Sequence, residues 1–219
     1  MYAQNRMQLI VNCIVFMVLS LPTRATTSRY NLCQAPTTNT LDGCPSNTIL
    51  VSQTNYSNIS FTTIQSAIES LPEDSSFWTI LVEPGNYTEQ LNITRVGPLT
   101  ILGQTRNPSE QGKNLVTVYW AAANVNVSYP DNAYTSVLTV APTLEASLTG
   151  SGPTGYPVPA GTPFGNIDFR AYNIDFRNVF SEASVGPSLA VSVSRANAGF
   201  YRCGFYSYQD TVGIHLVLL

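Results

Sequence analysis

The sequence predicts an all-β chain, with a parallel β-helix weighed ahead of a β-sandwich, and one α-helix near its start. Three observations carry this. One amphipathic stretch is followed by one strand-like run after another; the pentapeptide NIDFR occurs twice at a spacing of seven; and an aromatic pattern returns after 29 residues.

The first 25 residues have a short polar head with Arg6 and then a 13-residue apolar run, Leu9 to Leu21. That run is too short to span a bilayer but suits the apolar region of a signal peptide, with Thr23-Arg24-Ala25 as the cleavage signal. A secreted protein is expected, with no membrane association after removal of the leader. Residues 26–60 are rich in Thr, Asn, Pro and Ser without apolar periodicity and predict an irregular segment. Cys33 and Cys44, eleven apart in that segment, could close a small disulfide loop in an oxidising compartment.

Residues 61–219 form the predicted folded domain. Phe61, Ile64, Ile68 and Leu71 recur at helical spacing, with Ser60 available as N-cap and Pro72 ending the pattern. TILVEPGNY, PLTILGQ, NLVTVYW, YTSVLTV, IDFRAYNIDF, LAVSVS and GFYRCGFYSY then follow, β-branched and aromatic runs punctuated by Gly, Asn and Pro.

A sandwich would satisfy that inventory, and the repeats weigh against it. NIDFR stands at 166–170 and at 173–177. In one continuous strand an odd shift would send Ile167 and Phe169 to one face, and Ile174 and Phe176 to the other. Both pairs face inward only if the chain turns a corner at Ala171-Tyr172-Asn173, where Asn tolerates left-handed backbone angles. Tyr172-Asn173-Ile174-Asp175-Phe176 and Tyr201-Arg202-Cys203-Gly204-Phe205 echo each other at the 29-residue offset, plausible for one coil plus a loop. The Gly/Pro-rich stretch from Pro142 to Gly165 predicts a long loop leaving the coil, either a rim of the binding face or an inert insertion.

Composition excludes several functions. Charged residues make up 11% of the 219, well below the roughly 25% of ordinary soluble domains. Net charge is −3 and no Lys/Arg cluster occurs, so nucleic acid is a poor partner. No Cys/His spacing suits a metal, His215 has no nearby partner, and Cys203 in FYRCGF reads as a small buried hydrophobe. Five Asn-X-Ser/Thr sequons, at Asn55, Asn58, Asn86, Asn92 and Asn126, fit a secreted glycoprotein.

FTTIQSAIESLP, the GxYxE element Gly85-Asn86-Tyr87-Thr88-Glu89, LTILGQT, NLVTVYW, YNIDFRNVF and FYRCGFYSYQDT follow one another as the blocks of a known family do. In this ordered set, over about residues 61–211, the chain resembles the pectin methylesterases of carbohydrate esterase family 8, in their fungal style. The resemblance implies a right-handed parallel β-helix of the pectin-lyase-like kind with an N-terminal capping helix. It also implies pectin, the methyl-esterified homogalacturonan, as substrate, hydrolysed to pectate and methanol by a monomer without metal or organic cofactor.

The family scheme uses one Asp as nucleophile on the ester carbonyl and a second Asp as acid/base, with Gln side chains donating to the developing oxyanion and an Arg orienting the nucleophile. Carried onto this chain, Asp210 matches the acid/base and Gln209 an oxyanion donor; alone, Gln209-Asp210 would read as a polar turn. An oxyanion donor must be a fixed hydrogen-bond donor, and a catalytic carboxylic acid must be kept protonated by burial or by neighbouring negative charge.

Two departures stand out. Leu189 occupies the place of a second oxyanion Gln, and an apolar side chain donates nothing. The blocks for the nucleophilic Asp and the orienting Arg, expected about one coil beyond Asp210, do not occur, so the chain is expected to be C-terminally truncated and to have little esterase activity. Asp168 and Asp175, each followed two residues later by Arg170 or Arg177, predict outward charge pairs rather than substitutes. Tyr87 and Glu89 are expected to serve the fold or the groove rim. The alternatives are a non-catalytic pectin-binding β-helix and a Ca²⁺-dependent lyase, for which no carboxylate cluster is available.

Overall fold

The structure is a computed structural model that describes residues 30–54, 61–147 and 160–215, with the backbone alone for 213–215. A short helix α1 (Asn31–Gln34) and strand β1 (Thr48–Val51) precede helix α2 (Ile64–Glu69). Twelve strands follow: β2 (Trp78–Val82), β3 (Gly85–Thr88), β4 (Leu91–Ile93), β5 (Leu99–Gly103), β6 (Val116–Trp120), β7 (Leu138–Val140), β8 (Phe169–Tyr172), β9 (Ile174–Asn178), β10 (Val191–Ser194), β11 (Ala198–Tyr201), β12 (Gly204–Tyr206) and β13 (Val212–His215). From β2 onward every third strand falls in the same sheet, and β1 adds to the edge of the first, giving the orders β1-β2-β5-β8-β11, β3-β6-β9-β12 and β4-β7-β10-β13. All ladders between these strands are parallel. Each coil thus gives one strand to each of three sheets, which is a parallel β-helix and excludes the sandwich.

The interior is the row of inward residues stacked coil on coil: Ile80, Ile101 and Ala171 in one sheet, Tyr87, Val118 and Phe176 in the next, Ile93, Val140 and Val193 in the third, all at most 6% exposed. Each large aliphatic or aromatic side chain buried this way contributes roughly 1.5–3 kcal/mol. Ile64, Ala67, Ile68 and Leu71 join the same cluster, so α2 lays its apolar stripe across the start of the solenoid. Its N-cap is Thr63, whose hydroxyl accepts from the Ser66 amide; Ser60, expected as the cap, lies outside the described residues.

Residues 30–54, expected to be irregular, contribute α1 and β1. TILV pairs with β2 as an ordinary parallel strand, and Cys33 and Cys44 form a disulfide. Tyr30, Cys33 and Leu50 pack with Leu81 and Leu102 on the outer face of the first sheet, a second apolar cluster invisible to local periodicity.

The predicted corner is present. Asn173 has φ 53° and Arg202, at the same corner one coil on, has φ 55°. The Asn173 amide satisfies itself there, accepting from Gln34 Nε2 at 2.9 Å and donating to Asn114 Oδ1 at 3.2 Å. Gly103 sits against this corner, where a Cβ would run into the Asn173 carbonyl. Tyr172 lies opposite Tyr201 and Phe176 opposite Phe205, both pairs stacked, at 4.4 and 5.9 Å between centroids. Those pairs are the 29-residue echo seen as a register. Ile167 corrects the inward reading of the first NIDFR: it is 46% exposed, because β8 begins only at Phe169 and Ile167 still belongs to the approaching turn.

Candidate active site

The GxYxE element serves the fold. Tyr87 is 1% exposed and donates to the Glu83 carbonyl at 2.9 Å, and burial pushes its hydroxyl well above the usual range. The Glu89 carboxylate spans two amides at the start of α2, Ile64 N at 2.9 Å and Gln65 N at 2.8 Å. A carboxylate there satisfies two orphan donors of the first turn and complements the helix dipole.

Asp168 and Asp175 pair with Arg170 at 2.7 Å and Arg177 at 3.1 Å, the expected charge pairs, although Asp168 stands just before β8 rather than on it. Asp175 is nevertheless only 7% exposed. The turn carrying Gln111 and Asn114 folds over it, and both amides donate to Oδ1, at 3.2 and 2.8 Å. Cys203 packs against the core, and burial pushes its thiol up to about 12, which leaves no thiolate nucleophile near neutral pH. His215 lies on β13, with its side chain outside the described residues.

Gln209 and Asp210 occupy the turn from β12 into β13. Asp210 is exposed and left-handed, at φ 55°, a conformation a short polar side chain tolerates. The preceding loop, residues 181–188, is stitched to this turn by serines. Ser188 N donates to the Gln209 carbonyl at 3.1 Å, the Ser188 and Ser207 hydroxyls meet at 2.8 Å, and Ser207 Oγ also donates to the Ser188 carbonyl. Ser184 Oγ donates to Gln209 Oε1 at 2.6 Å. With its oxygen held, the Gln209 amide has Nε2 left to donate.

Leu189 is 2% exposed. Its amide donates to Thr135 Oγ1 at 3.0 Å and its carbonyl accepts from Asn178 Nδ2 at 3.1 Å, so the chain dives inward at this position. A second donor facing solvent is not available there.

Beside the Gln209-Asp210 turn lies a cleft of about 450 Å³ whose lining includes Arg177, Val179, Glu182, Phe205, Tyr206 and Tyr208. The Arg177 guanidinium lies 3.7 Å over the Tyr206 ring, and the Tyr206 hydroxyl accepts from Gln111 Nε2 at 3.0 Å. Sequence reasoning missed this cleft because its walls come from consecutive coils. It missed Ser184 because a lone serine in a polar loop carries no pattern. Among the described residues no group of three or more His, Cys, Asp or Glu could hold a metal ion, and no helix is long and apolar enough to cross a membrane.

No protein-family model matches the chain. It is 30% identical over 152 residues to pectinesterase A of Emericella nidulans, covering 69% of this chain and 38% of that protein. It is 31% identical over 170 residues to a pectinesterase of Aspergillus aculeatus, covering 77% of this chain and 43% of the relative. Among solved structures, the pectin methylesterase of Aspergillus niger superposes with a TM-score of 0.57 at 27% identity, over 78% of this chain and 46% of that one. The pectin methylesterase of Erwinia chrysanthemi, at 23% identity and TM-score 0.55 over 76% of this chain and 45% of its own, shares the fold. The chain spans about two-fifths of the length of the curated relatives it matches.

Proposed function

We infer that this chain, a homologue of the fungal pectinesterases, binds methyl-esterified galacturonan and presents Asp210 and Gln209 as acid/base and oxyanion donor for methyl ester hydrolysis. The observation that carries this reading is the Gln209 amide, held through its oxygen by Ser184 with Nε2 left to donate; the adjacent Asp210 is exposed, without the burial that keeps a catalytic acid protonated. In the family's reaction, Gln209 Nε2 would donate to the ester oxygen as it takes up charge. Asp210 would protonate the departing methanol and then take a proton from the water that resolves the acyl-enzyme. No cofactor enters the scheme.

The scheme also calls for a nucleophilic aspartate. Among the described residues the other aspartates are engaged: Asp42 with Asn39, Asp74 with Arg95, Asp131 with the Ala133 amide, Asp168 with Arg170, and Asp175 with Arg177. This observation favours a second reading, pectin binding with little turnover.

The test is methanol release from highly esterified pectin, with binding measured in parallel. If the hydrolase reading holds, release is measurable and Asp210→Asn lowers it by about 10²–10⁴. Pectin retention without release supports the binding reading, and failure of the folded protein to bind pectin removes both.

The Leu9–Leu21 run supports secretion to the extracellular space or cell wall. Of the sequons, Asn86 and Asn126 stand exposed and are the favoured glycan acceptors, whereas Asn92 is partly covered, with a buried Oδ1; Asn55 and Asn58 lie outside the described residues. Glycopeptide mass spectrometry of the secreted protein tests that ranking.

A further inference from the structure

We propose, resting on the pectin reading, that the cleft beside Gln209 and Asp210 is a subsite for an uncharged, methyl-esterified galacturonate unit and disfavours a free galacturonate carboxylate. The cleft is large enough for a sugar ring, at about 450 Å³. Its walls are aromatic and aliphatic, from Phe205, Tyr206, Tyr208 and Val179. Tyr208 is 57% exposed and Tyr206 37%, so apolar ring surface remains available to the hydrophobic face of a sugar or a methyl ester.

Charge decides which form of the sugar fits. Arg177 is the one cation in the lining, and it is already spent: Nη2 pairs with Asp175 Oδ2 at 3.1 Å, and the guanidinium plane is laid on Tyr206. Glu182, also in the lining, has no ion pair among the described residues, and Asp210 follows two residues after Tyr208. With Arg177 and Asp175 cancelling, Glu182 leaves the cleft negative. A free carboxylate entering it meets like charge without a free cation, whereas the neutral methyl ester meets only aromatic surface. A chain built this way favours stretches of pectin that are still esterified around the bond being cut, rather than the borders of de-esterified blocks.

The experiment is affinity electrophoresis of the full chain through gels containing highly methyl-esterified pectin or fully de-esterified polygalacturonate, at low and high salt. At low salt the esterified polymer should retain the protein at least about threefold more strongly, and the difference should shrink in about 1 M salt, where exposed charges are screened. Glu182→Gln should narrow the preference about twofold at low salt. Glu73→Gln, the same charge change at an exposed position in the turn after α2, should not. Tyr208→Ala should weaken retention on esterified pectin.

Equal or stronger retention on polygalacturonate overturns the subsite assignment and leaves the pectin reading standing. So does a Glu182→Gln protein that behaves like Glu73→Gln. No retention of the folded protein on either polymer overturns the pectin reading itself, and the subsite with it.

Discussion

Ser184 Oγ donates a 2.6 Å hydrogen bond to Oε1 of Gln209, joining the loop before β10 to the turn before β13. A primary amide held by its oxygen offers only N–H to a ligand. On the proposed reading the buried Leu189 stands where a second oxyanion amide would, and the Gln209 amide has its orientation set by a neighbouring hydroxyl. Ser184→Ala is expected to weaken binding of methyl-esterified oligogalacturonides by about fivefold, near 1 kcal/mol, the scale of one hydrogen bond. Ser184→Thr, which keeps the hydroxyl, should restore it. Calorimetric titration checks both, and wild-type affinity in Ser184→Ala would show that Gln209 needs no support.

Leu189→Gln is expected not to create a second oxyanion donor. The side chain is buried between two backbone hydrogen bonds, so the new amide would lose its water without a designed partner, at a cost of about 1–3 kcal/mol. Urea denaturation measures the loss. Unchanged stability together with increased methanol release would mean that position 189 opens onto the groove.

Glu89→Ala should destabilise the fold without touching the candidate site. It strips the carboxylate from the amides of Ile64 and Gln65 at the start of α2, the helix that covers the first coil. The cost is about 1–2 kcal/mol, the usual worth of a lost cap. The midpoint of urea unfolding should fall while the affinity for pectin stays level.

Asp74 gives the stability an acid limb. Hydrogen bonds from the Ser76 hydroxyl and amide, and then from Arg95, hold its carboxyl below the ordinary carboxylate value. A carboxyl whose value is lowered by folding contributes stability that is fully present above its unfolded value, about 4. That contribution is lost as pH falls through the lowered, folded value. Its partner Arg95 is 2% exposed, so protonating Asp74 leaves a buried guanidinium without its counter-ion. The melting temperature of the wild type should therefore fall on acidification below about pH 4. Asp74→Asn should melt lower at neutral pH and show a shallower acid dependence, and parallel profiles for the two proteins would contradict this assignment.

The architecture was legible where a residue's role depends on its own neighbours in sequence. Phe169 and Phe176 are both inside although seven apart, and that parity demanded a corner, which Asn173 supplies. Ile167 misled because parity assigns a face only once the strand has begun, and β8 begins two residues later. β1 and β4 escaped notice as runs of four and three residues, too short for periodicity to separate from loop.

The sequence by itself determined the coil repeat, the inward apolar rows, the helix that covers the first coil, and the ordered blocks ending in Gln209-Asp210-Thr211. Those are short-range patterns, set by alternation and by what each backbone corner tolerates. Only the tertiary structure decided what the pattern's polar residues do. Glu89 became a helix cap by reaching a helix more than twenty residues upstream, Asp175 became a buried acceptor beneath Gln111 and Asn114, and Ser184 became the holder of Gln209. In a solenoid, neighbours in space come from different coils separated by loops of unequal length, so side-chain partnerships across coils have no fixed spacing for a sequence to display.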